Sequence, residues 1–124
     1  MKVMVVDDEH DIQLLFDQQF RREIRSGQIE FHYAFSGEEA LKYLESVGPA
    51  DLILILSDIN MPGMNGLELL KIIKDRFALK VFMITAYGDE SNYKTAMEYG
   101  ADNYLTKPID FKVLKQEVLG LQES

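Results

Sequence analysis

The sequence predicts an α/β protein in which helices cover both faces of a five-stranded parallel sheet. The segments 2–6, 52–56 and 80–85 are apolar on both sides of a predicted strand, which is typical of strands that are covered on both faces. Segments with a helical spacing of apolar residues separate them, and the connections are short. This alternation favours a parallel sheet joined by right-handed crossovers.

Two weaker segments complete the predicted sheet. Residues 29–35 (IEFHYAF) alternate between apolar and polar side chains, which suits a strand near an edge, and residues 102–106 (DNYLT) are the fifth candidate. A strand followed by a helix therefore occurs five times within 124 residues. We expect one domain that covers residues 1–124.

The helices are predicted from apolar residues that recur every three or four positions. Ser36 with Glu39 and Asn65 with Glu68 are expected to form capping boxes at two of the helix starts, and the fourth helix is expected to begin at Asp89. The predicted apolar faces of the other four helices are Ile12, Leu15, Phe16, Phe20 and Ile24; Ala40, Leu41, Leu44 and Val47; Leu67, Leu70, Ile73 and Phe77; and Phe111, Leu114, Val118 and Leu121.

The composition excludes several classes of function. A net charge of −8 argues against direct binding of nucleic acid, because contacts to phosphate need clustered Lys and Arg. The chain has no cysteine, which excludes disulfides and thiolate metal sites. The chain has no apolar run near the roughly 18 residues of a membrane span and no apolar leader, so we expect a cytoplasmic protein without membrane contacts.

Polar or charged residues stand at the ends of several predicted strands. The ligand crevice of an open parallel sheet lies beyond the carboxyl ends of its strands, so these residues are the candidate site. They are Asp7 and Asp8 after the first strand, Asp58 after the third, Thr85 and Ala86 at the end of the fourth, and Lys107 with Pro108 after the fifth.

Each of these residues also has an ordinary structural explanation. Asp7 or Asp8 could cap the first helix, and Asp58 could cap the turn that follows it. Thr85 is a common strand residue and Lys107 a common surface residue. These explanations do not account for three acids at one crevice, because capping needs fewer.

Three carboxylates that converge on one crevice repel one another, so one should take a raised pKa or the group should bind a cation. Hard oxygen ligands favour Mg²⁺, which binds few carboxylates and keeps several waters. Lys107 would add a positive charge and Thr85 a hydroxyl donor, so the set predicts a site for a phosphoryl group. A carboxylate can itself be the nucleophile and form an aspartyl phosphate.

Four segments resemble, in order and spacing, the receiver domain of two-component response regulators, including the single-domain chemotaxis type. They are VVDDEHD, LSDINMPGMNGLELL, MITAYGD and GADNYLTKPID, and the resemblance covers essentially the whole chain. It implies a flavodoxin-like (βα)5 three-layer sandwich with strand order 2-1-3-4-5.

The resemblance also implies roles for individual residues. Asp58 would accept a phosphoryl group from a phosphohistidine of a sensor histidine kinase or a histidine phosphotransfer protein. Lys107 would contact the phosphoryl oxygens. Mg²⁺ would be bound by Asp8 directly, by Asp7 mainly through water, by Asp58, and by the backbone carbonyl of Asn60.

A switch is implied as well. Thr85 would move toward the phosphoryl group and Tyr104 would swing inward with it, which biases the face of the fourth helix, fifth strand and fifth helix. Ala86 and Tyr87 follow Thr85, and the bulky Tyr87 could screen the phosphoryl group from water. The bond between Lys107 and Pro108 would be the family's cis peptide.

Three functions are compatible with these residues. The favoured one is a signalling switch that catalyses only its own aspartate phosphorylation and dephosphorylation, acts on a downstream effector domain or protein, and could form a homodimer. The second is a Mg²⁺-dependent phosphohydrolase with Asp58 as nucleophile, which would need a substrate pocket and usually a cap domain. The third is a flavodoxin-like nucleotide binder, for which the acidic DDEHD segment is unfavourable.

Overall fold

The computed structural model describes residues 1–86 and 91–123 of the chain. Within these residues, no helix is long and apolar enough to cross a membrane. The strands and helices are β1 (Lys2–Val6), α1 (Asp11–Gln19), α2 (Arg21–Arg25), β2 (Glu30–Ala34), α3 (Gly37–Ser46), β3 (Leu52–Asp58), α4 (Gly66–Arg76), β4 (Lys80–Thr85), α5 (Ser91–Glu98), β5 (Asn103–Thr106) and α6 (Phe111–Glu123).

The five strands form one sheet in the order β2-β1-β3-β4-β5, and every pairing is parallel. This arrangement confirms the predicted fold class and strand order. The strand β2 lies at an edge, as the alternation of residues 29–35 predicted. Because all the strands run in one direction, their carboxyl ends meet at the same side of the sheet.

Two apolar cores hold the helices against the two faces of the sheet. On one face α1 and α6 bury Phe16, Leu114 and Val118 against the strands. On the other face the helices α3, α4 and α5 bury a second set of side chains, so the central strands are covered on both faces, as their continuous hydrophobicity predicted. That second set includes Ala40, Leu44, Leu69, Leu70, Ile73 and Ala96.

The first predicted helix is divided into α1 and α2 at Phe20. Its backbone departs from helical geometry there, with φ −104° and ψ 23°. The Lys115 ammonium of α6 donates to the carbonyl of Gln19 at 3.0 Å, which satisfies a backbone acceptor beside the break. Phe20 is still fully buried and packs edge-on against Phe31 and Phe111, so the apolar spacing predicted the buried side chain but not the break.

Other sequence expectations need correction as well. Leu15 is 38% exposed and Val47 is 66% exposed, so neither belongs to the core. Leu69, which was not predicted, is fully buried. The strand β3 continues to Asp58 instead of ending at residue 56, which places the carboxylate on the strand itself.

The two predicted capping boxes differ. Asn65 and Glu68 form the complete box, in which each side chain accepts from the other's backbone N–H. In the other box, the side chain of Ser36 accepts from the N–H of Glu39 at 3.0 Å, and only this half of the box is formed. The predicted start of the fourth helix at Asp89 lies outside the described residues.

Polar contacts of Lys74 and Asp102 join α4 to the amino end of β4, and we call them the polar clamp. Asp102 directly precedes β5. The Asp102 carboxylate accepts from the Lys74 ammonium at 2.6 Å and from the N–H of Val81 at 2.8 Å. Lys74 also donates to the carbonyl of Leu79 at 2.9 Å. The two charged side chains are 24% and 33% exposed, so the clamp is only partly screened by solvent.

Substitution of Asp102 by alanine should lower the free energy of unfolding by about 1–2 kcal/mol, because Lys74 and the N–H of Val81 both lose an acceptor. Urea denaturation measures this loss. Asp75→Ala is the matched control, since Asp75 is exposed on α4, and it should change stability by less than about 0.5 kcal/mol. Equal effects of the two substitutions would show that the clamp contributes nothing.

Candidate functional site

The candidate site lies at the carboxyl ends of the strands, where backbone hydrogen bonds extend the sheet by one residue. The N–H of Asp7 donates to the carbonyl of Ala34 at 3.1 Å, and the N–H of Lys107 donates to the carbonyl of Thr85 at 2.7 Å. Asp58 pairs with Ile84 at the end of β3. The sheet therefore fixes the backbone on both sides of Asp58.

Three carboxylates converge at this edge. Asp7, Asp8 and Asp58 each offer an oxygen within 4.8 Å of the others. The side chains of Asp7 and Asp58 are only 5% and 7% exposed, whereas Asp8 is half-buried. Oxygen ligands at this spacing suit a hard divalent cation, so the acidic pocket could bind a metal.

Backbone N–H groups hold two of the acids in place. Oδ1 of Asp7 accepts from the N–H of Glu9 at 2.9 Å, and Oδ1 of Asp58 accepts from the N–H of Ile59 at 2.8 Å. These bonds restrict the rotation of both side chains. The carboxylates are therefore preorganised by the chain around them.

Lys107 bridges two of the acids. Its Nζ lies 3.4 Å from Oδ2 of Asp7 and 3.4 Å from Oδ2 of Asp58. Burial alone would lower the pKa of Lys107, but the charges of Asp58 and Asp7 outweigh it and the pKa is raised. Lys107 therefore stays an ammonium group between the two carboxylates.

The pKa of Asp58 is raised, chiefly by burial and then by the charge of Asp7, against the opposing effect of Lys107. Among the described residues, one lysine stands beside three acids, which leaves the group with excess negative charge. Such a group attracts a further cation, which would offset the repulsion.

Thr85 is the last residue of β4 and is 1% exposed. In the described part of the chain, its Oγ1 is buried without a hydrogen-bond partner. A buried hydroxyl of this kind is unfavourable. An oxygen-bearing ligand at this edge of the sheet would give Thr85 an acceptor.

The remaining predicted residues lie around this edge. Asn60 is exposed in the loop between β3 and α4, and Ala86 is exposed directly after β4. The peptide bond between Lys107 and Pro108 is cis. Tyr87 lies outside the described residues.

Tyr104 lies within β5, which is separated by β4 from the strand that carries Asp58. It is half-buried, and its ring meets that of Tyr93 on α5 edge to face, with centroids 5.2 Å apart. It also packs against the core beneath α4 and α5. Tyr104 thus joins the sheet to the helix α5.

The sequence reasoning missed a role for Gly66. Its N–H donates to the carbonyl of Ile59 at 2.8 Å, which closes the loop between β3 and α4. A Cβ on Gly66 would lie 2.0 Å from the carbonyl oxygen of Asp58, so only glycine fits there. The available signal was a glycine at the first helical position after the Asn65 cap, where better helix formers exist.

Comparison with known proteins identifies the family. The sequence profile described as "Response regulator receiver domain" matches residues 3–119. The chain belongs to this family, the receiver domains of two-component response regulators. The resemblance drawn from the four sequence segments is confirmed.

The chain is similar to several curated proteins. It is 34% identical over 121 residues to the chemotaxis protein CheY1 of Helicobacter pylori strain J99. The aligned region covers 95% of this chain and 94% of CheY1. It is 38% identical over 108 residues to the transcriptional regulatory protein ResD of Bacillus subtilis, covering 86% of this chain and 42% of ResD. The uncharacterized transcriptional regulatory protein YcbL of the same species is 32% identical, and the chain spans 48% of it. The chain therefore spans about half the length of such longer relatives.

Solved structures share the fold. A response regulator receiver domain protein from Clostridium thermocellum is 26% identical with a TM-score of 0.83, covering 98% of this chain and 94% of that one. A CheY-like receiver domain protein from Methanospirillum hungatei JF-1 is 30% identical with a TM-score of 0.82, with the same coverage of 98% and 94%.

Asp58→Asn should raise the free energy of unfolding at pH 7 in the presence of a chelator. The pKa of Asp58 is raised in the folded chain, so its ionised form is less favourable there than in the unfolded chain. The gain should be complete above the raised pKa. It should disappear as the pH falls below the ordinary value of 3.8, because the carboxyl group is then protonated in both states.

Urea denaturation at several pH values measures this dependence. Asp75→Asn, the same change at an exposed position of α4, should alter stability little at any pH. A stability at pH 7 equal to or below that of the wild type would contradict the argument.

Proposed function

We propose that the chain is a phosphoacceptor that takes a phosphoryl group from a sensor histidine kinase or a histidine phosphotransfer protein onto Asp58. The observation that carries this proposal is a buried carboxylate at the end of β3 with two further acids and a lysine around it. Such a group combines a nucleophile, cation ligands and a counter-charge for phosphoryl oxygens.

In this reaction a carboxylate oxygen of Asp58 forms a bond to phosphorus, and the bond between phosphorus and the donor's imidazole nitrogen breaks. Lys107, which lies 3.4 Å from Oδ2 of Asp58, is placed to neutralise the oxygens of the transferred group. The backbone N–H of Ile59 holds Oδ1 of Asp58, so the carboxylate is oriented before the donor arrives.

Asp7, Asp8 and Asp58, together with the backbone carbonyl of Asn60, would hold Mg²⁺. The fit rests on three oxygen donors within 4.8 Å of one another and on the excess negative charge that a single lysine leaves. When bound, Mg²⁺ would supply positive charge for the phosphoryl oxygens.

Phosphorylation adds negative charge at one end of the sheet, and the buried hydroxyl of Thr85 offers a donor to it. We propose that Thr85 moves toward the phosphoryl group and that Tyr104 moves with it. The face that changes is then α5, β5 and α6, which are the predicted fourth helix, fifth strand and fifth helix. The contact between Tyr104 and Tyr93 ties this change to α5.

The output is an effector domain or a separate protein that recognises this face. ResD and YcbL carry the description "transcriptional regulatory protein", and the chain covers only about half of each. CheY1 is matched over 94% of its length. A single domain of residues 1–124, a cytoplasmic location and a homodimer stay predictions.

Incubation with acetyl phosphate and Mg²⁺ tests the assignment of Asp58. Wild type should gain one phosphoryl group, seen in its intact mass, and Asp58→Asn should gain none because the acceptor oxygen is lost. Asp51→Asn, the same change at the exposed residue before the amino end of β3, should be labelled like wild type. Labelling of Asp58→Asn would refute the assignment.

A parallel incubation with a small phosphate ester separates the switch from a phosphohydrolase that uses the same carboxylate. Labelling that stops after one phosphoryl group per chain supports the switch, which acts only on its own aspartate. Multiple turnover of a small phosphate ester would instead support a phosphohydrolase.

Substitution of Asp8 by alanine should weaken Mg²⁺ binding by about tenfold or more, because an oxygen ligand and a charge are lost together. Titration calorimetry measures the change, and tyrosine fluorescence is a second readout, since the chain has six Tyr and no Trp. Asp11→Ala removes a nearby exposed charge in the first turn of α1 and should have a much smaller effect. A Kd for Asp8→Ala equal to that of wild type would exclude Asp8 as a ligand.

A further inference from the structure

The loop between β3 and α4 carries Asn60 and is held at two places besides its apex. At its base, the N–H of Gly66 donates to the carbonyl of Ile59 at 2.8 Å. Near its start, Met61 is 7% exposed and packs in the core beneath α3 and α4. The apex, Gly63 and Met64, is held differently, because its contacts come from another helix.

Glu38, in the first turn of α3, lies against this apex. Its Oε2 accepts from the N–H of Met64 at 3.3 Å. A Cβ on Gly63 would lie 2.7 Å from the same oxygen, so the carboxylate sits directly on the Gly63 backbone. Gly63 has φ +73°, a conformation that favours glycine, and the residue leaves room for the carboxylate.

A second contact, between Gly37 and Met64, also holds the apex of the loop against α3. A Cβ on Gly37 would lie 3.0 Å from Sδ of Met64, so the side chain of Met64 packs closely on the start of α3. Behind these residues, α3 is fixed to the core by Ala40 and Leu44, which are 0% and 2% exposed. The apex is therefore held by a helix that is itself packed into the core.

We infer that Glu38 is a positioning residue for the Mg²⁺ site, an inference that rests on the proposed function. By holding Gly63 and Met64, Glu38 restricts the loop and with it the backbone carbonyl of Asn60. Without this contact the Mg²⁺ ligands would still be present but would be less well ordered. Mg²⁺ binding would then lose more conformational entropy and would be weaker. Glu38 is exposed, so its removal leaves the core intact.

Charge offers a competing explanation that substitution can separate. Glu38 is an anion, and removal of an anion weakens cation binding even without any effect on the loop. Glutamine keeps an oxygen acceptor for the N–H of Met64 but removes the charge. Glu38→Gln therefore tests the hydrogen bond, and Glu39→Ala tests charge at the adjacent exposed position.

Titration calorimetry with Mg²⁺ on the purified chain and these variants is the experiment. Glu38→Ala should raise the Kd about three- to tenfold, the size expected for one lost hydrogen bond. Glu38→Gln and Glu39→Ala should stay within about twofold of wild type. Thermal unfolding in chelator should stay cooperative for all four proteins, with at most a small loss of stability for Glu38→Ala from the same hydrogen bond, because the substituted side chains are exposed.

Three results would overturn the inference. Glu38→Ala with the Kd of wild type would show that the contact does not position the site. Equal weakening by Glu38→Gln and Glu38→Ala would assign the effect to charge. A wild type that binds no Mg²⁺ would overturn the proposed function itself, and the inference with it, whereas the first two results leave that function intact.

Discussion

The close approach of Asp7, Asp8 and Asp58 is the constraint on which the rest of this structure depends. Like charges within 4.8 Å of one another repel, so another part of the fold must hold them together. Two apolar cores do so, because the side chains on both faces of β1 and β3 are buried under helices. The stability of the sheet is thus used to maintain an unfavourable arrangement of charges at its end.

Lys107 connects this arrangement to the edge of the sheet. It is 100 residues from Asp7 and 49 residues from Asp58 in the chain, yet its ammonium lies beside both. The ion pairs therefore bind the end of β5 to the ends of β1 and β3. One side chain thus contacts two acids of the crevice and directly follows an edge strand of the sheet.

Local patterns predicted most of the fold, and they predicted which side chains meet at the carboxyl edge of the sheet. The bounds of β1 and β4 agree with the apolar segments 2–6 and 80–85, because the hydrophobicity of a covered strand is a local property. The candidate site residues were chosen because parallel strands must end at one edge, and the structure brings Asp7, Asp8, Asp58 and Lys107 together there. That reasoning selected residues but not their contacts. Neither the bridging of Asp7 and Asp58 by Lys107 nor the lack of a hydrogen-bond partner for the Thr85 hydroxyl among the described residues follows from a local pattern.

The features that the sequence did not predict have a common physical origin. The break at Phe20 occurs beside a carbonyl that accepts from Lys115, which is 96 residues from Gln19 along the chain. The contact of Glu38 with Met64 joins residues 26 apart. Val47 has the spacing of a core residue but is the C-cap that follows α3, and it is 66% exposed. Each depends on which elements meet in three dimensions, and helical or strand periodicity carries no information about that.

Gly66 has a mechanical consequence for the whole molecule. A side chain there would need to stand 2.0 Å from the carbonyl oxygen of Asp58, so the start of α4 already lies as near to that strand as backbone atoms allow. The end of β3 and the start of α4 are therefore in direct backbone contact, with no room for a side chain at Gly66. A spectroscopic label on the exposed side of α4, for example at position 75, would report any displacement that α4 shares with Asp58. A label on α5, whose Tyr93 contacts Tyr104 of the edge strand β5, would report the motion of that edge, so a pair of labels could time the two motions separately.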